Sequence, residues 1–427
     1  MNLKKVITSA LTLALALGLT ACGSSNKDEN SNAVSGNETS QQETENTTDE
    51  KATVVFWHAM NGEQEKELTK LADDFMKEHP DITIELQNQT GYQELQQKIT
   101  ATSTSPDDLP TMTQAYPDWM FNPIKDGLVQ DLTDLTKDIE DYDDILEGFR
   151  KGTEFDGKVY SMPFNKSTEI LWYNKDIFDE LKLDVPTSYE ELEDVSKKIT
   201  EEKGIPAIGW DSLSNYYTTF IANEGKDFDK DFDVTSDESK KAVEYYLDGI
   251  KDGYFRTAGT DKYMSGPFGN EQVAMYIGSN AGETFVKEAV ADKFNVGVAP
   301  APTGKAVQQG TDVFVFANKP EAETKAAYEF IKYITSKDAQ IEWGIKTGYI
   351  PARESSIEAD EYQNSGSLIG PVIKDATKDL FTTPVVAGAD QAYQEAGTMM
   401  ETVLADPDSD VDKQLENFQS TLDGIWE

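Results

Sequence analysis

Apolar and polar positions along this chain switch between two periods, and the switches mark its elements. Ala52-Thr-Val-Val-Phe-Trp-His58 is rich in β-formers and reads as a buried strand. After Asn61-Gly62, the apolar residues Leu68, Leu71, Ala72, Phe75 and Met76 recur at helical spacing until His79-Pro80 ends the pattern. Ile82-Thr-Ile-Glu-Leu86 is a second strand, so the three elements form a βαβ unit whose strands are expected to run parallel. A helix carrying Leu95 and Ile99 follows, and then a short strand over residues 110–115.

A second block opens near Gly157. Strand-like segments run over 170–173, 273–277 and 294–302. Between them lie a short helix through Phe178 and Leu181 and a longer one carrying Leu192, Val195 and Ile199, which ends at Gly204. Thr187 with Glu190 has the spacing of a capping box at the start of the longer helix. Further on, Asp312–Ala317 is strand-like. A helix from Pro320 turns Ala326, Ala327, Phe330, Ile331 and Ile334 inward, and a mostly helical tail runs to Trp426. Strand–helix units in both blocks predict an α/β protein.

The first fifty residues follow neither period. Lys4 and Lys5 precede an uncharged apolar run from Val6 to Leu19, too short to span a bilayer, which takes ~20 apolar residues. A basic start, a short apolar middle and small residues after it describe a secretory signal peptide. Leu19-Thr20-Ala21-Cys22 resembles the lipobox of bacterial lipoproteins. That resemblance implies a signal peptide over 1–21, cleavage before Cys22, and lipid on that residue. Residues 22–50 are almost entirely polar and are expected to act as a disordered acidic tether.

Charge narrows the classes of partner. Lys and Arg number 38 against 79 Asp and Glu, a formal net charge of −41. Nucleic-acid phosphates require a basic surface, so nucleic acid is excluded. Contact with an anionic bilayer is expected only through the lipid on Cys22. With one cysteine there is no internal disulfide.

Candidate chemistry is sparse. There is no phosphate-cradling glycine loop, and only His58 and His79 are available for a triad or a zinc site. His58, at the end of the first strand, reads as a packing residue before a ligand contact. Asp227, Asp229, Asp231, Asp233 and Glu238 have EF-hand spacing, but Phe232 stands where the loop needs glycine. With so many acids, no spacing singles out the carboxylate pair of a glycosidase. The aromatics say more. Trp57, Tyr92, Tyr116, Trp119, Trp210, Tyr216, Tyr217 and Tyr349 fall at strand ends and in turns beside Asn, Gln, Asp and Ser, a mixture suited to the apolar faces and hydroxyl edges of sugars.

Phe56-Trp-His-Ala-Met60, Gly91-Tyr92, Pro163-Phe-Asn-Lys-Ser-Thr168, Trp172-Tyr-Asn-Lys-Asp176 and Lys346-Thr-Gly-Tyr-Ile-Pro351 come in the order and at the separations of a known family. From Val54 onward the chain resembles the extracellular solute-binding proteins of ABC importers, in the group that carries sugars and glycerol phosphates. The resemblance implies a two-lobe periplasmic-binding-protein-like fold of type II, with ligand held in a cleft between lobes joined by hinge crossings. Lobe 1 is expected over 51–162 and 303–352, and lobe 2 over 163–302 and 353–427. It further implies a monomer on the outer face of the cytoplasmic membrane, with a permease as partner, no cofactor, no metal and no catalytic activity.

Within the family the likeness is to the sn-glycerol-3-phosphate-binding branch. Positions matching its ligand contacts are Tyr92, Ser167, Ser279, Gly310 and Tyr349. Two positions depart. Pro117 replaces an expected acid, with Asp118 one place later, and the expected arginine falls near Tyr393-Gln394, leaving Arg353 as the nearest substitute in sequence order. Without a guanidinium an anion loses bidentate, charge-assisted hydrogen bonds, so a neutral carbohydrate is favoured. The ligand-binding set is then Tyr92, Tyr116, Asp118, Ser167, Trp210, Ser279, Gly310 and Tyr349. A glycerol-3-phosphate or glycerophosphodiester ligand is the alternative, and a surface glycosidase the rival from another class.

Overall fold

The computed structural model describes residues 51–426, so the expected signal peptide, Cys22 and the whole polar tether lie outside the described residues. β1 (Ala52–His58) and β2 (Ile82–Asn88) pair in parallel, from Ala52 opposite Ile82 to His58 opposite Asn88. The helix between them, Gly62–Glu78, buries Leu68, Leu71, Ala72 and Phe75, as its spacing predicts. β3 (Met112–Ala115) lies parallel on the other side of β1. β4 (Glu154–Phe155) and β5 (Lys158–Val159) form a small separate hairpin.

β6 (Ser161–Asn174) begins well before the strand expected over 170–173 and takes in Pro163. Proline cannot donate to a ladder, and it is tolerated here because the register shifts beside it. Asp312 faces Pro163 while Thr311 faces Asn165, which leaves Phe164 as the extra residue of a bulge.

The early part of β6 pairs antiparallel with β11 (Ala306–Val315), which in turn pairs with β3. The later part pairs antiparallel with β9 (Met275–Ser279) and β10 (Val296–Pro300). β7 (Ile208–Trp210) and β8 (Phe255–Thr257) continue outward in parallel from β9, and β12 (Leu380–Phe381) pairs with the start of β11. The strand order is β2-β1-β3-β11-β6-β9-β7-β8. One mixed sheet therefore has two wings, and β6 runs through both.

Each wing has its own core. Val54, Phe56, Phe75, Phe330 and Ile331 pack under the β1 wing, and Ile208, Trp210, Tyr216, Tyr246 and Phe255 under the β7 wing. The tail from residue 353, expected to lie wholly in lobe 2, divides between them. Ile357, Tyr362, Ile369 and Ile373 join the first core, while the helices Ala389–Leu404 and Val411–Trp426 join the second. The helix Tyr189–Lys203 starts one residue later than the Thr187–Glu190 pairing implies. Ser188 is its cap, accepting from the Glu191 N–H at 3.2 Å, and the Glu191 carboxylate accepts from the Thr187 N–H at 2.8 Å. Among the described residues no helix is long and apolar enough to cross a membrane.

Candidate ligand-binding cleft

Two cavities of about 1020 and 770 Å³ adjoin where the wings meet, sharing walls at Tyr92, Tyr116, Ser212, Asn215, Gln309 and Gly310. Tyr116 follows the last residue of β3, and Ser279 ends β9, so both stand at strand ends, where open α/β sheets hold ligands. Tyr92 begins the helix Tyr92–Thr102, directly after Gly91.

The aromatic wall is continuous. Tyr92 meets Tyr116 edge-on at 5.5 Å between centroids, and Tyr116 lies 4.9 Å from Trp119. The Tyr92 and Tyr349 hydroxyls share a hydrogen bond of 2.8 Å, and Tyr349 stacks on the buried Trp343 at 5.8 Å.

Of the residues expected to touch ligand, seven line these cavities. Asp118 lines the larger one, Ser167, Ser279 and Tyr349 the smaller, and Tyr92, Tyr116 and Gly310 both. Gly310 also has a backbone reason to be there. Its φ is +90°, and a Cβ would sit 1.7 Å from the Asn165 carbonyl oxygen where β11 crosses β6.

Trp210 does not belong to the set. It is buried in the second core, edge-on to Tyr216 and Phe255, because as the last residue of β7 it shares the inward face with Ile208. Tyr216 and Tyr217 are core residues of one helix, and Trp57 is buried with its Nε1 donating to Gln87 Oε1. Arg353 is no substitute for a phosphate-facing arginine. Its buried guanidinium donates to the carbonyls of Thr335, Asp141 and Glu140. Tyr393 and Gln394 themselves line the larger cavity.

Side chains that the residue pattern did not single out complete the walls. Tyr393 donates to Asn215 Oδ1, and Asn215 Nδ2 donates to Glu169 Oε1 at 2.8 Å. Glu169 is 4% exposed, and burial pushes its carboxyl up to about 8. Asp211 accepts from the Met264 N–H at 2.6 Å, and its Oδ2 lies against Gly278, where a Cβ would come within 2.2 Å. Burial raises its carboxyl to about 7. Asp118 is raised to about 7 by burial and then by the negative charge of Asp390, which itself accepts from Gln96 Nε2 at 3.2 Å. Four lysines among the described residues line the two cavities, and three of them pair with acids. Lys125, Lys151 and Lys166 pair with Asp156, Glu147 and Asp312, and Lys262 is exposed.

His58 is buried, its Nδ1 accepts from the Met60 N–H, and burial lowers it to about 4. In the acidic stretch 227–238, Asp229 and Asp233 accept from the N–H groups two residues on, and Glu238 pairs with Lys226. Among the described residues no group of three or more His, Cys, Asp or Glu is placed to hold a metal.

The family model for the bacterial extracellular solute-binding proteins matches residues 70–368. The chain belongs to that family. It is therefore the solute-capturing component of an ABC importer, and it acts outside the cytoplasm. The sn-glycerol-3-phosphate-binding periplasmic protein UgpB of Pectobacterium atrosepticum is 26% identical over 338 residues, 73% of this chain and 75% of that one. Two solved structures share the fold. The GacH receptor of Streptomyces glaucescens, solved unliganded and with acarbose, has a TM-score of 0.78 at 23% identity, covering 88% of this chain and 98% of its own. UgpB of Mycobacterium tuberculosis with glycerophosphocholine has a TM-score of 0.78 at 22% identity, with the same coverage.

Proposed function

We propose that this chain captures a carbohydrate, a sugar or oligosaccharide, in the cleft between the wings and delivers it to a membrane permease. The observation that carries this reading is the cleft's chemistry. Tyrosine and tryptophan faces are set beside Asn215, Gln309 and carboxylates, and every lysine on the walls is either paired with an acid or exposed. Rings stack on the CH faces of a sugar while the polar groups exchange hydrogen bonds with its hydroxyls. A phosphate in the same place would meet acids and no free guanidinium.

The ligand-contact set is Tyr92, Tyr116, Asp118, Ser167, Ser279, Gly310 and Tyr349, extended by Glu169, Asp211 and Tyr393. Ligand that touches both wings favours the closed arrangement by its differential affinity. The lobes are taken as 51–162 with 303–352, and 163–302 with 377–427, with 353–376 bridging them. The protein works as a monomer without catalysis, held to the outer face of the membrane by lipid on Cys22.

A second reading, a glycerol-3-phosphate or glycerophosphodiester ligand, is favoured by the names of the similar UgpB proteins. A thermal-shift panel separates the two, because a ligand at 100 times its Kd adds ~2.7 kcal/mol to stability. Sugars and oligosaccharides should raise Tm, and glycerol 3-phosphate and glycerophosphocholine should not. A rise with either of these and with no sugar would overturn the carbohydrate reading. Release of reducing sugar by the purified protein would instead identify a glycosidase.

A further inference from the structure

The larger cavity presents Asp118 and Asp390 to the same space. Asp118 stands just after β3, in the turn Pro117–Met120, and Asp390 in the first turn of the helix Ala389–Leu404, on the other wing. Neither carboxylate is paired with a lysine or arginine among the described residues. Asp390 receives one side-chain hydrogen bond, from Gln96. Tyr116 and Trp119 stand beside Asp118 with their rings 4.9 Å apart. Gln309, on the wall shared by both cavities, has a buried Oε1 with no donor.

Two like charges facing one cavity from opposite wings oppose closure, and a carboxylate removed from water without a counter-charge is costly. A neutral ligand leaves that cost to be relieved by a proton on Asp118, whose carboxyl is raised to about 7. A ligand with an ammonium group would remove the cost, since the cation would sit between the carboxylates and against the aromatic faces that attract it.

We propose that the captured ligand carries a positively charged amine, seated between Asp118 and Asp390 and beside the Tyr116 and Trp119 rings. This rests on the carbohydrate reading and narrows it to an amino sugar or an oligosaccharide of one. The same ammonium could belong to a choline headgroup, and the test distinguishes these sources.

The experiment is calorimetric titration of the purified protein at pH 6.5 with probes in matched pairs. The glucosamine trisaccharide is set against its fully N-acetylated form, and glycerophosphocholine against glycerol 3-phosphate. The expected result is binding of the free-amine trisaccharide at least about tenfold tighter than the acetylated one, weakening with added salt. In Asp118→Asn and Asp390→Asn, each checked for an unchanged unfolding profile, that preference should fall to about threefold or less.

Equal or tighter binding of the acetylated trisaccharide overturns the amine while leaving the carbohydrate reading intact. Binding of glycerophosphocholine alone supports the ammonium and overturns the carbohydrate. Failure of all four probes overturns both. If both asparagine variants fail to fold, a wild-type preference for the amine that does not diminish with salt overturns the proposal.

Discussion

Tyr92 and Tyr349 lie 257 positions apart in sequence, and their hydroxyls meet at 2.8 Å on the wall of the ligand cleft. Each holds the other's ring edge toward the cavity, and burial raises both phenols, so both stay protonated at neutral pH. Tyr92→Phe keeps the ring and removes the bond. It should cost about 1 kcal/mol of stability and weaken ligand binding by about tenfold, a loss of ~1.4 kcal/mol. Calorimetric titration beside a urea melt checks both; an unchanged Kd would remove Tyr92 from the contact set.

Lys166 and Asp312 form an ion pair of 2.9 Å where β6 crosses β11, and both are essentially excluded from solvent. Ser161 Oγ also donates to Asp312. Lys166→Met leaves a buried carboxylate without its cation and should cost about 3–5 kcal/mol, measured by urea unfolding. The double change Lys166→Met with Asp312→Leu should recover part of that loss.

Gly310→Ala should be far more damaging than Gly204→Ala. Both glycines have positive φ, but at Gly204 a Cβ meets open space, whereas at Gly310 it meets the Asn165 carbonyl. Denaturant melts should show about 1 kcal/mol lost at Gly204 and at least about 2 kcal/mol at Gly310.

Arg353→Ala should destabilise by about 2–4 kcal/mol, because three backbone carbonyls lose a charged donor. Ligand affinity should not change. A weakened Kd at unchanged stability would return Arg353 to the ligand site.

Stability of the unliganded protein should fall as pH rises from 6.5 to 8.5. Asp118 and Asp211, raised to about 7, and Glu169, raised to about 8, hold protons in the folded state that the unfolded chain has already released. The folded state therefore binds more protons in this window, and by linkage its advantage shrinks with rising pH. His58, lowered to about 4, acts oppositely, but only below its ordinary value near 6.5. Thermal melts across the window check the sign; Glu169→Gln should flatten the upper end.

Much of the fold was legible because its signals are local. The helix Gly62–Glu78 and the parallel pair β1–β2 follow from apolar spacing and a βαβ order. β6 was legible only in its later part, since Pro163 argues against a strand and the bulge that admits it depends on β11, more than 140 residues away in sequence. In the cleft, Tyr92, Tyr116 and Tyr349 could be found because they follow glycines or strand ends. Trp210 also ends a strand, but the two-residue alternation turns it into the core. Glu169 and Asp211 were hidden among 79 acids. The available clue to Glu169 was its place directly before the apolar run 170–173, where an acid is shielded from water. Asp390 sits on a helix whose packing partners come from elsewhere in the chain, so nothing nearby marked it, and Tyr393 was marked only through the resemblance, as the place of the expected arginine.

Besides the crossing in the tail, the passage between the wings is made by hydrogen-bonded strands, with β6 laid against β11 from Thr168 to Ser161. Two paired strands form a ribbon, which flexes across its broad face and resists bending in its plane. On the proposed reading, the wings should therefore open and close mainly by bending of this ribbon across its face. A permease that meets this protein would then distinguish its liganded from its empty form by that bend.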